Sequence, residues 1–255
     1  MSEIKESTGV SVMPVPLDLN DLSSVKKAAE AVLAATATID LLFLNAGIAM
    51  MTPSVTAQGY EQQFGVNHMG HALFTQMLLP KMIQTVTIRP PRTVRIIIVS
   101  SEAHPDAPKA GILFDELKTD MVSTGAQALY GQSKLANILF AKKLATLYPE
   151  IVTVPLHPGV VHTEILGKAN GIPFIMGLLV APFMWLMGVT VQEGAKTQLW
   201  AGTAEDVKSG QYYVPLGKEK KGSARANDEE LRDELWDWTN KELDAFGGPG
   251  WPTAK

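Results

Sequence analysis

The chain reads as an α/β protein built on a doubly wound parallel sheet, and three features of the sequence say so. Apolar runs at 10–17, 39–44, 93–99, 151–156 and 211–214 alternate with helical patterns, as in βαβ units. Most of these runs are continuously apolar rather than alternating, which fits strands covered on both faces. Small or polar residues stand just past four of the runs, where ligands of such sheets bind. The 255 residues suffice for one domain with a substantial core, and neither repeat nor linker divides them. Residues 1–255 are therefore taken as a single domain.

The first run ends in Asp18-Leu19 and leads into a helix over 22–35. The second ends in Asn45-Ala46-Gly47, where small residues let the backbone approach a ligand closely. A long helical pattern over 57–84 carries His68 and His71, one turn apart. With no adjacent carboxylate they read as helix-surface histidines rather than metal ligands, and no metal site is expected. The third run ends in Ser100 and Ser101, the fourth in His157-Pro158-Gly159. Between them lies a helix over 127–148, with Leu135, Ile138 and Leu139 on its buried face. A helix over 191–200 precedes the fifth run. A last one over 228–246, within the C-terminal region 227–255, carries the apolar stripe Leu231, Leu235, Trp238 and Leu243.

The helix over 127–148 opens on Tyr130-Gly131-Gln132-Ser133-Lys134. Tyrosine and lysine four residues apart share one helix face. A cation there favours phenolate and lowers the tyrosine from about 10 toward working pH. Such a tyrosine can give a proton to a carbonyl oxygen or take one from a hydroxyl. Alone, the same spacing also describes a solvated tyrosine beside a surface lysine.

Composition excludes several classes. A net charge of −4 with acids and bases mixed throughout gives no groove for nucleic acid. The absence of cysteine excludes disulfides, thiolate nucleophiles and Cys-containing zinc sites. With no basic segment and apolar run opening the chain, a cytoplasmic location is expected. Residues 169–192 carry no charge and crowd together Phe174, Ile175, Leu178, Phe183 and Trp185. Their length could span a bilayer, but Gly171, Pro173, Gly177, Pro182 and Gly188 break the stretch into short pieces. It reads as a lid over an apolar substrate, with shallow membrane contact through 172–191 as the intermediate case.

The ordered motifs Leu17-Asp18-Leu19, Leu44-Asn45-Ala46-Gly47, Val66-Asn67-His68, Ile98-Val99-Ser100-Ser101, Tyr130-Gly131-Gln132-Ser133-Lys134 and Pro158-Gly159-Val160-Val161-His162-Thr163 resemble the short-chain dehydrogenase/reductase family over nearly the whole chain. The long spacing from Ser101 to Tyr130 is similar to the retinol-dehydrogenase-like branch. The Glu193-Gly194-Ala195-Lys196 helix with Tyr212-Tyr213 is similar to fungal members. The resemblance implies a Rossmann-like sheet and hydride transfer between NAD or NADP and a small apolar alcohol or carbonyl compound. It implies Tyr130 as general acid/base and Lys134 as the group that lowers its pKa and holds the nicotinamide ribose. Ser101 would hydrogen-bond the substrate oxygen, and Asn67 would hold a water relaying protons to Lys134. Asp18 would meet the adenine, Asn45, Ala46 and Gly47 would line the nucleotide, and Val161 and Thr163 would contact the nicotinamide amide.

Two departures from the family pattern stand out. Leu44 replaces the first residue of the usual Asn-Asn-Ala-Gly. The larger departure is at the front, where Gly9 is the only glycine before Gly47, so no glycine-rich phosphate cradle is present. The sheet is therefore expected to be N-terminally incomplete, lacking the first two strands and the phosphate loop. NADP is placed ahead of NAD, although the residues that select between them belong to the missing piece. The alternative implied is a truncated, non-catalytic family member unable to bind cofactor.

Overall fold

Strand β1 (Leu41–Leu44) forms one edge of a five-stranded sheet that continues through β2 (Arg95–Val99), β3 (Val152–Leu156), β4 (Tyr213–Val214) and β5 (Lys218–Glu219) in that spatial order. The computed structural model describes residues 2–161 and 188–253. The first four strands are parallel, and β5 turns back antiparallel against β4. Every residue of β2 and β3 is buried, which is why their runs are apolar without alternation. Ile96 and Ile98 face the larger of two apolar clusters, while Ile97 and Val99 face the smaller.

Helix α1 (Ser2–Thr8) precedes α2 (Leu22–Ala35), whose bounds match the expected 22–35. The Asp21 carboxylate caps α2 by accepting from Ser23 N at 2.9 Å. The helix expected from residue 57 starts later, as α3 (Gln62–Phe64), because the Glu61 carboxylate accepts from Gln63 N and Phe64 N at 2.9 and 2.7 Å. The chain widens into one π turn (Gly65–Met69) and continues as α4 (Gly70–Val86). Helix α5 (Ala126–Leu147) packs on β2, β3 and the C-terminal helix, and α6 (Val191–Thr203) covers the other face. The last helix, α7 (Glu229–Phe246), buries Leu231, Leu235 and Leu243 as expected, with Trp238 edge-on to Tyr60 and Phe64.

Two expectations are corrected. Residues 10–17 form no strand: Val10, Val12, Met13 and Leu17 are exposed. A strand is held by its ladder, and among the described residues this run has none, so apolar content alone does not order it. His68 and His71 are not on a helix surface but inside the core. The first ring packs against Phe64 and Phe140 and shares a 2.9 Å hydrogen bond with Thr239 Oγ1; His71 Nδ1 meets Asn67 O at 3.1 Å. Their helix is enclosed by α2, α5 and α7, so a polar residue there becomes a core residue. Among the described residues, no helix is long and apolar enough to cross a membrane.

Candidate active site

In the parallel register Leu44 lies beside Ile98, and Val99 beside Leu156. Asn45, Ser100 and His157 therefore leave the sheet along one rim, where ligands of such sheets bind. Three hydrogen bonds fix α5 to that rim. Ser100 Oγ donates to Lys134 O at 2.7 Å, and Lys134 Nζ and Asn137 Nδ2 both donate to Val99 O at 3.1 Å. Gly131 allows the fit: a Cβ there would lie 2.7 Å from Ala107 N and 2.8 Å from Ala103 O. The close approach of α5 to this turn brings Tyr130 near enough to Ser101 for the serine to act on the phenol's pKa.

The electrostatics are those of a desolvated site. Burial pushes the Tyr130 phenol up, and the nearby Ser101 hydroxyl only partly opposes this. Lys134 is 4% exposed, and burial brings its ammonium down from 10.5 to about 8. Its Nζ stands 5.7 Å from the centroid of the Tyr130 ring, within cation–π range. Desolvation dominates Tyr130, and the ammonium is directed to the Val99 carbonyl.

Asn67 sits in the π turn and is fully buried. Its Oδ1 accepts from Ile48 N at 2.8 Å, and its Nδ2 donates to Ile48 O and Ser133 Oγ, each at 2.9 Å. The carboxamide thereby holds the loop that carries Gly47; its role as a proton relay rests on the resemblance. Gly47 fits tightly against the cluster, since a Cβ would lie 2.7 Å from Asn67 Oδ1 and 3.5 Å from Lys134 Nζ. Asn67, Gly47, Lys134, Tyr130 and Ser101 are thus brought together.

The other expected positions lie further out. Asn45 and Ala46 are exposed on the rim, and Asn45 Oδ1 accepts from Gln198 Nε2 of α6 at 2.9 Å. Val161 bridges to Val189 and packs over Gly194, where a Cβ would come within 2.4 Å of its Cγ2. Asp18 is exposed, and its carboxylate accepts from Asn20 N at 2.9 Å. Thr163 and residues 169–187 of the expected lid lie outside the described residues.

Sequence reasoning missed a group behind Ser101. His104 Nδ1 meets Ser101 O at 2.8 Å, and its Nε2 accepts from Ser223 N at 2.9 Å. Burial lowers the pKa of His104. Glu102 takes a hydrogen bond from Lys220 Nζ and lies 3.9 Å from His157 Nε2. Burial lowers His157 to about 4. The buried ring of Tyr212 stands edge-on to His104. Two-residue alternation in the run 211–214 was the available signal, since it turns one of the two tyrosines toward α5.

Comparison with known proteins agrees with this geometry. Residues 1–112 match the family model for short chain dehydrogenases. A short-chain dehydrogenase/reductase of Armillaria gallica is 33% identical over 93% of this chain and 75% of its own length. Retinol dehydrogenase 13 of Mus musculus is 37% identical over 92% of this chain and 70% of its own. The crystal structure of a putative uncharacterized protein from Mycobacterium paratuberculosis superposes with a TM-score of 0.69 at 27% identity, covering 95% of this chain and 80% of that one. Similarity of this extent, carried on a parallel sheet whose rim joins Ser101 to Tyr130, means that the chain belongs to the short-chain dehydrogenase/reductase family of oxidoreductases and has its Rossmann NAD(P)-binding fold.

Proposed function

We propose that the chain reduces an apolar carbonyl compound, or oxidises the matching alcohol, with a nicotinamide cofactor as hydride carrier. The observation that carries this reading is the convergence of Ser101, Tyr130 and a buried Lys134 at the rim of the sheet. In the reducing direction Ser101 holds the carbonyl oxygen and Tyr130 Oη donates its proton to it, while the carbonyl carbon receives hydride. A phenol raised by burial stays protonated and ready to donate at neutral pH. Lys134, with two ammonium protons beyond the one given to Val99 O, can hold the ribose end of the cofactor and stabilise the phenolate as it forms. Gly47 lets the rim loop lie flush against Asn67 and Lys134, leaving the backbone of 45–47 to line the nucleotide. When bound, the reduced nicotinamide supplies the hydride.

These residues fit the nicotinamide half of the cofactor. For the pyrophosphate half, no glycine-rich turn precedes Gly47 in this sequence. The second reading is a family member that binds no cofactor. The uncharged stretch 169–192 supports an apolar substrate, NADP remains ahead of NAD as the carrier, and contact with a membrane surface through 172–191 is the companion expectation.

The test is titration of the purified chain with NADPH and NADH, followed by turnover of a homologous series of ketones read from oxidation of the reduced cofactor. Micromolar cofactor binding with kcat/KM rising along the series supports the enzyme and its apolar pocket. Absence of binding to both cofactors selects the second reading.

A further inference from the structure

One residue holds the serine turn from behind, and does so twice. His104 N donates to Ser101 O at 3.2 Å and closes the turn 101–104. The ring of the same residue bends back, and its Nδ1 meets that carbonyl at 2.8 Å. A carbonyl oxygen has two acceptor lone pairs, so His104 occupies both. The plane of the 101–102 peptide is fixed in this way. Ser101 Oγ accepts from Ala103 N at 3.1 Å within the same turn, so the side chain is set relative to that plane. A hydroxyl oxygen that accepts in this way keeps its proton to donate.

The proton on the ring is placed by its other neighbour. Ser223 N can only donate, and it bonds Nε2 at 2.9 Å, so Nε2 is the unprotonated nitrogen. The neutral imidazole then carries its proton on Nδ1, directed to Ser101 O. The ring is 3% exposed, and the loop closes directly on it, since a Cβ on Gly222 would lie 3.3 Å from Nε2. Ser223 is itself anchored: its O accepts from Asn227 Nδ2 at 2.8 Å, and Asn227 Oδ1 accepts from Lys142 Nζ at 2.7 Å. Lys142 belongs to α5, the helix that bears Tyr130. Through His104 the turn of Ser101 is therefore referred to the same helix as Tyr130.

Resting on the oxidoreductase reading, we propose that His104 is a positioning residue, whose imidazole, locked with its proton on Nδ1, aims the Ser101 hydroxyl at the substrate oxygen. Both ring nitrogens are engaged by the protein, so the ring acts through Ser101 and transfers no proton. A donor held in place before the reaction needs no reorganisation when charge develops on that oxygen.

The experiment separates the two ring bonds in the full chain, with NADPH and a ketone. Asparagine places its amide nitrogen where Nδ1 stands, and glutamine places its amide oxygen where Nε2 stands. His104→Asn thus keeps the bond to Ser101 O, whereas His104→Gln keeps only the bond from Ser223 N. In His104→Gln kcat should fall about 10- to 100-fold, while in His104→Asn it should stay within about threefold of wild type. A merely structural histidine would lower both thermal midpoints and leave kcat, read well below them, equal in the two variants. Equal kcat therefore overturns the proposal. Nitrogen-15 NMR of the wild-type chain gives a check that needs neither variant to fold: a proton on Nδ1 supports the proposal, and one on Nε2 overturns it. If the full chain turns over no ketone, the oxidoreductase reading fails on its own. Amide exchange at Ala103, whose N–H is bonded to Ser101 Oγ, then decides His104. Faster exchange in His104→Gln than in His104→Asn supports the positioning role, and equal exchange overturns it.

Discussion

The Asn67 carboxamide closes a ring of two hydrogen bonds on one residue, Ile48, accepting from its N–H at 2.8 Å and donating to its C=O at 2.9 Å. A third bond, to Ser133 Oγ at 2.9 Å, ties the same side chain to α5. One buried amide thus joins the loop after β1, the π turn and the helix bearing Tyr130. Asn67→Leu keeps the volume and leaves both Ile48 groups unpaired, at about 1–3 kcal/mol each. For a domain of this size the thermal midpoint should drop by about 4 °C or more. A melt unchanged within about 1 °C would show that the ring contributes nothing.

Tyr130→Phe removes the proposed proton donor and almost no volume. Turnover should fall about 10²- to 10⁴-fold, the usual contribution of general acid–base catalysis, while the melt stays close to wild type. A variant keeping more than about a tenth of wild-type kcat sinks the assignment.

Lys134 is a destabilised charge. Its folded pKa of about 8 lies below the ordinary 10.5, so the unfolded chain binds more protons between those values. Stability therefore rises with pH across that window, and the penalty is fully present below about pH 8. At about 1.4 kcal/mol per unit the penalty is about 3 kcal/mol. Lys134→Met should abolish turnover yet melt several degrees higher at pH 7, with the advantage shrinking toward pH 10.5. A variant that melts lower at pH 7 shows instead that the bond to Val99 O outweighs desolvation.

His68 and His71 set the acid limit. Burial lowers both from 6.5 to about 3, so the unfolded chain takes up these protons first and stability is lost as pH falls below about 6.5. Glu61 acts in the opposite sense. Burial raises it to about 7, so its contribution is present below about pH 4.5 and is lost as pH rises through 7. Thermal midpoints should fall on acidification from pH 6.5 to 4.5, and more steeply in Glu61→Gln. Parallel profiles for the two proteins would remove Glu61 from this balance.

Gly131→Ala tests the seating of α5. The new methyl would meet backbone at Ala103, Asp106 and Ala107, all within 2.8 Å. Backbone cannot turn aside as a flexible side chain can, so the helix must shift. Overpacking of this kind costs about 1–3 kcal/mol, and kcat should fall with the midpoint because Tyr130 moves away from Ser101. Full activity with a normal melt would mean that the turn 103–107 yields freely.

The sequence by itself determined the α/β architecture and the central strands, and set Tyr130 and Lys134 one turn apart on a helix. Those signals are local: a continuous apolar run reports burial on both faces, and Tyr130 and Lys134 share a helix face whatever packs around them. The bounds of α2 were equally legible, because the Asp21 cap is contiguous with the helix it starts. Tertiary structure decided what depends on partners distant in the chain. Residues 10–17 carry strand-like composition but have no ladder among the described residues, so they stay exposed. His68 and His71 look like surface residues until α2, α5 and α7 close around their helix. Spacing shows that a cation is near Tyr130 but not how much water burial removes from the phenol. Local pattern fixes the backbone's periodicity, whereas desolvation and hydrogen-bond satisfaction are properties of the whole packed chain.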